Sequence, residues 1–139
     1  MKKICLFLSL FSLLVQANDY IVIANKHLHV KNVTREYLKQ IYLKQHMYMG
    51  NTQLIPVNLQ PQSSVRKSFE KHVLKMSRDR LKRFWTIQHY KGKRPPLTMQ
   101  SPSSALKFVE KIEGALSYIP AQRLSNNSAV QIIYRWSDK

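Results

Sequence analysis

The chain has 139 residues and carries 23 Lys and Arg against 7 Asp and Glu, a formal net charge of +16 at pH 7. This length suits one domain with a single core and is short for two. A field of this sign attracts phosphate-like ions, acidic proteins and anionic polymers, although high charge also serves solubility alone. A single cysteine, Cys5, excludes an intramolecular disulfide.

The amino-terminal residues have the order of a secretory signal peptide. Two lysines precede the apolar residues 4–15, and Val15-Gln16-Ala17 offers small residues at the two positions that a signal peptidase reads. The apolar run is shorter than the roughly 20 residues needed to span a bilayer, and an uncleaved anchor is the alternative. We therefore expect residues 1–17 to be a signal peptide and residues 18–139 to form one periplasmic domain that does not span the membrane.

The remaining elements are predicted in chain order from apolar periodicity and helix caps. The β-rich residues 20–24 form a first strand, Thr34 caps a helix over residues 35–43, and residues 44–52 form a polar loop. A second strand covers residues 54–59, where Pro56 favours a sheet edge or an irregular strand end.

The second half of the chain is richer in helices. A helix starts at Ser63-Ser64, Ser77 caps another over residues 78–90, and Ser101 starts a third with Pro102 in its first turn. Short strands over residues 115–119 and 130–136 follow. The order of elements predicts an α/β fold in which crossover helices flank a mixed sheet.

Three segments follow known local patterns in the same order along the chain. Residues 33–43 are similar to "lt-x-e-x-l-x-x-I-F-x-G", residues 84–96 to "W-x-x-x-x-F-x-G-x-x-x-P-P", and residues 113–119 to "pGAIGYv". Together they resemble the phosphate-binding protein of bacterial phosphate ABC importers, a type 2 periplasmic binding protein. The resemblance implies a single lobe of that two-lobed fold. It also implies an exported solute-binding protein for phosphate or a similar oxyanion, linked to phosphate uptake.

The chain departs from the family where the strand meets the ligand-binding helix. Family members carry an Arg followed by Ser-Gly-Thr, whereas here Leu59 replaces the Arg, Ser63 is retained, and Ser64 and Val65 replace the Gly and Thr. This loss favours a second hypothesis, an accessory or interaction protein that kept the fold and lost ligand binding.

Five residues form the expected ligand-binding set. A helix N-terminus presents unpaired backbone N–H groups to an oxyanion, and Ser63 and Ser64 add hydroxyl donors there. Arg66 adds charge, and Asn58 and Asn25 complete the set. The plain alternative is that Ser63 serves only as a helix cap.

A basic turn is the second candidate feature. Lys91, Lys93 and Arg94 are expected to steer anions or to meet an acidic protein or an envelope polymer, unless the turn is simply solvated. Nucleic acid is not an expected partner, because the chain is expected to be exported and because its helix aromatics are expected in the core. A homodimer that imitates the missing lobe remains open.

Catalytic and metal chemistry find little support in the sequence. His27 and His29 alternate on a predicted extended segment, but no third ligand lies near them, so no metal is expected. The carboxylates show no paired spacing, and the chain contains neither a Gly-rich phosphate loop nor a nucleophile elbow. We therefore expect a protein that is not an enzyme and that uses no cofactor.

Overall fold

A computed structural model describes residues 18–30 and 33–138. The signal peptide expected over residues 1–17 lies outside these residues. Within the described part of the chain, no helix has the length and apolar character needed to cross a membrane.

Seven strands and four α-helices are present in the described residues. In chain order they are β1 (Asp19–Asn25), α1 (Arg35–Tyr42), β2 (Tyr48–Met49), β3 (Thr52–Gln53), β4 (Ile55–Leu59), α2 (Ser64–Phe69), α3 (Arg78–Tyr90), β5 (Leu97–Met99), α4 (Pro102–Lys111), β6 (Ala115–Pro120) and β7 (Val130–Ser137). A π-helical turn, Glu70–Leu74, continues α2, and a short 3₁₀ turn follows β6. The loop predicted over residues 44–52 contains most of the β2–β3 hairpin.

The main sheet has five strands in the order β5-β4-β6-β1-β7. Strand β4 runs parallel to β5 and β6, whereas β1 runs antiparallel to both β6 and β7. The predicted mixed sheet flanked by helices is therefore confirmed.

The two faces of the sheet bury two separate cores. Along β1, Val22 and Ala24 face the larger core with α1 and α2, while Ile21 and Ile23 face the smaller core with α4. This alternation is the period-2 pattern of a strand that is covered on both sides. In the larger core, the rings of Phe69 and Tyr118 stack with centroids 4.1 Å apart.

Side-chain caps place the helix starts where the sequence predicts them. The hydroxyls of Thr34, Ser63, Ser77 and Ser101 each accept a hydrogen bond from the backbone N–H three residues later. At α4 the cap is reciprocal, because the Ser104 hydroxyl also accepts from the Ser101 N–H. Each such cap satisfies a donor that the first helical turn would otherwise leave unpaired.

One local expectation is confirmed in part and one is wrong. Strand β4 lies inside the sheet, but its first two residues pair only with β6, because pairing with β5 begins at Val57. Pro56 therefore lies at an incompletely paired strand end, which was one of the two positions expected for it. His27 lies exposed in the turn after β1 and His29 lies exposed in the irregular segment that follows, so neither is on a strand.

Candidate functional site

A cleft of about 200 Å³ lies at the carboxyl end of β4, between this strand, α2 and α3. Its polar and charged lining comes from four parts of the chain. The lining side chains with functional potential are Asn58, Arg66, Glu70, Arg78, Lys82 and Trp85.

A buried carboxylate joins the two arginines of the cleft. Glu70 is only 6% exposed, and its Oε2 accepts a hydrogen bond of 3.0 Å from Arg66 Nε, while its Oε1 accepts one of 2.8 Å from Arg78 Nε. The arginines also donate to backbone oxygens, Arg66 to Leu59 and Arg78 to Pro61. These bonds hold both guanidinium groups in fixed orientations against the end of β4.

Asn58 is oriented by a tyrosine below it. The Tyr118 hydroxyl donates to Asn58 Oδ1 at 2.9 Å and accepts from the Leu59 N–H at 3.2 Å. Burial raises the pKa of Tyr118 well above its ordinary value, so this hydroxyl remains a donor. Since the oxygen of the Asn58 amide points to Tyr118, its amide nitrogen points elsewhere, with two N–H donors.

The charges of the cleft favour a divalent anion. Arg66, Arg78 and Lys82 contribute three positive charges, and Glu70 removes one, which leaves a lining of about +2. The Arg78 side chain is 44% exposed, so part of its guanidinium remains accessible to a ligand. Arginine in this situation offers several N–H donors in a rigid plane that suits an oxyanion.

The structure separates the five residues that the sequence groups together. Arg66 and Asn58 meet in the cleft. Ser63 caps α2 with a hydrogen bond of 3.4 Å from the Arg66 N–H and is not among the cleft-lining residues. Ser64 is exposed and lines a different depression, together with Lys67 and His72.

Asn25 lies on the far side of the sheet. Its amide nitrogen donates to the backbone oxygens of Val109 at 2.8 Å and Glu110 at 3.2 Å, near the end of α4. Its Oδ1 accepts from the His27 N–H. These bonds give Asn25, which is 2% exposed, a structural role in holding α4 against β1.

The basic turn after α3 is exposed, as the sequence indicates. Lys91, Lys93 and Arg94 all lie in solvent, and Gly92 has a positive φ of 77° that tightens the turn. None of the three cations lines the cleft. The turn connects Tyr90 to Pro95, and these two residues line a second depression of about 380 Å³ that extends to Lys82 and Trp85.

Four residues of the cleft were not expected as ligand-binding residues. Glu70 lies one helical turn after Arg66, and Arg78, Lys82 and Trp85 follow the i, i+4, i+7 spacing of one helix face. This spacing was the feature of the sequence from which their common position in the cleft could have been predicted. Phe84 and Trp85 were expected in the core, yet both are only partly buried against it.

A second polar cluster attaches β7 to α2. Asp138 accepts hydrogen bonds from the hydroxyls of Tyr20 and Ser68 and lies 3.2 Å from His72 Nε2. Burial and the bond to Asp138 raise the pKa of Tyr20. Since Ser68 donates to the carboxylate instead of to His72, this cluster lacks the Ser–His contact of a catalytic triad. Among the described residues, no three His, Cys, Asp or Glu side chains group into a metal site.

Comparison with known proteins identifies the fold. No family model and no curated protein matches the sequence. Several solved structures are similar to this chain, among them the three that follow. An ABC-type phosphate transport receptor from Vibrio cholerae is 21% identical with a TM-score of 0.65, and the match covers 84% of this chain and 46% of that one. A phosphate-bound protein from Clostridium perfringens, assigned as a phosphate ABC transporter substrate-binding protein, is 16% identical with a TM-score of 0.68, covering 84% and 44%.

The third structure, PstS from Borrelia burgdorferi, is 11% identical with a TM-score of 0.58, covering 76% of this chain and 42% of that one. The resemblance predicted from the three sequence segments is therefore confirmed as a shared fold. The chain spans less than half the length of each of these proteins.

Proposed function

We propose, starting from the fold shared with phosphate transport receptors, that this chain is an exported binding protein for phosphate or a similar small oxyanion. The binding site is the cleft at the carboxyl end of β4. The observation that carries the proposal is the pair of oriented guanidinium groups, Arg66 and Arg78, in a lining of net charge about +2. The proposal includes a periplasmic location, reached through the signal peptide expected over residues 1–17, and a link to phosphate uptake.

Binding would rely on donors that are already in place. Arg78 supplies the accessible guanidinium, Lys82 supplies a mobile ammonium, and Asn58 supplies amide N–H groups. Charge-assisted hydrogen bonds of this kind are about twice as strong as neutral ones. The remaining basic surface raises the local concentration of anions and accelerates their approach.

The open geometry predicts moderate affinity with strong dependence on salt. Water reaches Arg78, so its attraction for an anion is screened by mobile ions at physiological ionic strength. In the phosphate receptors from Vibrio cholerae and Clostridium perfringens, more than half of the chain lies outside the matched region. A protein that covers the ligand from one side only would bind it less tightly than one that encloses it.

Calorimetric titration of the purified protein with phosphate and sulfate tests the proposal. We expect Arg78→Ala to weaken phosphate binding at least tenfold, since it removes the accessible guanidinium. Arg123→Ala is the matched control, because Arg123 is an exposed arginine in the 3₁₀ turn after β6. The affinity of this variant for phosphate should stay within twofold of that of the parent protein. Equal losses in the two variants would contradict a local site and indicate only a general charge effect.

A double variant separates the cleft from the helix start. If Ser63 and Ser64 bind the ligand, Ser63→Ala with Ser64→Ala should reduce phosphate affinity as strongly as Arg78→Ala. We expect instead a loss of stability of about 1 kcal/mol from the missing cap and little change in affinity.

A second candidate function is that of an accessory protein with an anionic protein or envelope partner. The observation that favours it is a group of exposed apolar side chains around the basic turn: Ile87 is 56% exposed, Tyr90 87% and Leu97 53%. Absence of any phosphate or sulfate binding at low salt would favour this alternative over the first.

A further inference from the structure

A second depression adjoins the candidate cleft on the side of Lys82 and Trp85. The depression of about 200 Å³ at the end of β4 and the neighbouring depression of about 380 Å³ share Lys82 and Trp85 in their linings. The two depressions therefore lie next to each other along one side of α3, and together they are called the groove.

The spacing on α3 explains why the two depressions are adjacent. Arg78, Lys82, Trp85 and His89 lie at i, i+4, i+7 and i+11, and these positions share one face of an α-helix. The rise of 1.5 Å per residue separates the first from the last by about 16 Å along the helix axis. An inorganic phosphate ion would occupy only the first part of such a groove.

The chemistry changes from one end of the groove to the other. The end near β4 carries the arginines, whereas the far end is formed by Trp85, Thr86, His89, Tyr90 and Pro95. Flat or apolar surfaces dominate there. Tyr90 is 87% exposed. Its ring therefore presents a large aromatic surface to solvent.

Trp85 is held in a defined orientation between the two ends. Its ring meets Phe84 edge to face, with centroids 4.9 Å apart and an interplanar angle of 84°, and Phe84 packs against the larger core. This support limits the rotation of the indole, so a flat ligand would meet a surface that is already positioned.

We propose that the groove takes a phosphate monoester with an aromatic substituent, of which a nucleoside monophosphate is the representative. The phosphate lies at Arg66, Arg78 and Lys82, and the aromatic ring lies against Trp85 and Tyr90. This inference rests on the proposed function, because it uses the same cations, and it adds the class of ligand. Stacking of a base on an aromatic side chain strengthens binding severalfold to a hundredfold.

Three probes at equal ionic strength test the inference by calorimetry: inorganic phosphate, glycerol phosphate and adenosine monophosphate. Glycerol phosphate is the comparison that matters, since it is also a monoester but has no ring. We expect adenosine monophosphate to bind about tenfold more tightly than glycerol phosphate.

Variants at the far end locate the source of that advantage. His89→Ala with Tyr90→Ala should reduce the preference for adenosine monophosphate, since only Trp85 is left to stack, and should leave the affinity for inorganic phosphate unchanged, because neither residue lines the cleft at β4. Both side chains are exposed, so the variant should keep the fold. Tyr48→Ala removes a tyrosine that is 57% exposed on β2 and serves as the matched control.

The outcomes separate this inference from the function it rests on. Equal affinity for the two monoesters, together with Arg78-dependent phosphate binding, overturns the inference and leaves the proposed function intact. A double variant that weakens all three ligands equally also overturns it. If none of the three probes binds, both fail together.

Discussion

Replacing the buried carboxylate of Glu70 should have opposite effects on the stability of the protein and on its affinity for anions. In Glu70→Gln the side chain keeps its shape, but it loses the charge that binds Arg66 and Arg78. We expect the folded state to become less stable and the cleft to become a better anion site. A residue with only a structural role would not produce the second effect.

The magnitudes follow from exposure and charge. Breaking a fully buried ion pair costs about 3–5 kcal/mol, but the Arg78 side chain is 44% exposed and glutamine retains one acceptor, so we expect a loss of about 2 kcal/mol. Native domains have about 5–15 kcal/mol of stability, so the variant should remain folded. Removing one negative charge near the ligand should strengthen phosphate binding by about 1 kcal/mol, roughly fivefold.

Urea unfolding and phosphate titration measure the two effects on the same samples. Glu113→Gln is the matched control, because it makes the same chemical change at an exposed position after α4, and it should change both quantities by little. The reasoning is refuted if Glu70→Gln leaves the free energy of unfolding unchanged, or if it weakens phosphate binding.

Two further predictions concern the fold. Gly114→Ala should cost about 2–4 kcal/mol in urea unfolding, because φ is +84° and the new Cβ would lie 2.1 Å from the Gln53 backbone oxygen. Gly92→Ala, where φ is +77° with nothing within 4 Å, should cost only about 1 kcal/mol, and equal costs would contradict the role of the close contact. The raised pKa of buried Tyr118 means that unfolding above about pH 10 releases its proton, so stability should fall as pH rises further. Tyr118→Phe should make that decline shallower by roughly 0.8 kcal/mol per pH unit on average between pH 9.5 and 11, and an unchanged slope in urea unfolding over this range would refute this.

The elements could be predicted because their signals are local. The hydroxyl of Thr34, Ser77 or Ser101 caps a helix by bonding to the backbone only three residues later, so the helix start is visible in a short stretch of sequence. The alternation of apolar residues likewise indicates a strand from the residues of that strand alone. Pro56 indicated the incomplete pairing at the start of its strand, but it could not place β4 between β5 and β6, because strand order depends on residues far along the chain.

The cleft could be predicted only in part, since its contacts are not local. Arg78 reaches the Pro61 oxygen, 17 residues earlier, after a π-helical turn and a left-handed Lys75 that periodicity does not indicate. Asn25 ends a predicted strand and invited a ligand-binding interpretation, but its partners on α4 lie 84 and 85 residues away. A polar residue at a strand end is equally suited to bind a helix end or a ligand, and only the tertiary structure decides between them.

The position of β1 determines how late this protein can fold. Strand β1 lies between β6 and β7, and Tyr20 pairs with Pro120 on one side and with Trp136 on the other. A ribosome makes the chain from its amino end, so β1 remains without either partner until the residues of β6 and β7 have emerged. The five-stranded sheet can therefore be completed only after the residues of β7 have been made. Until then β1 has at least one unpaired edge, which offers free backbone hydrogen-bonding groups to other strands.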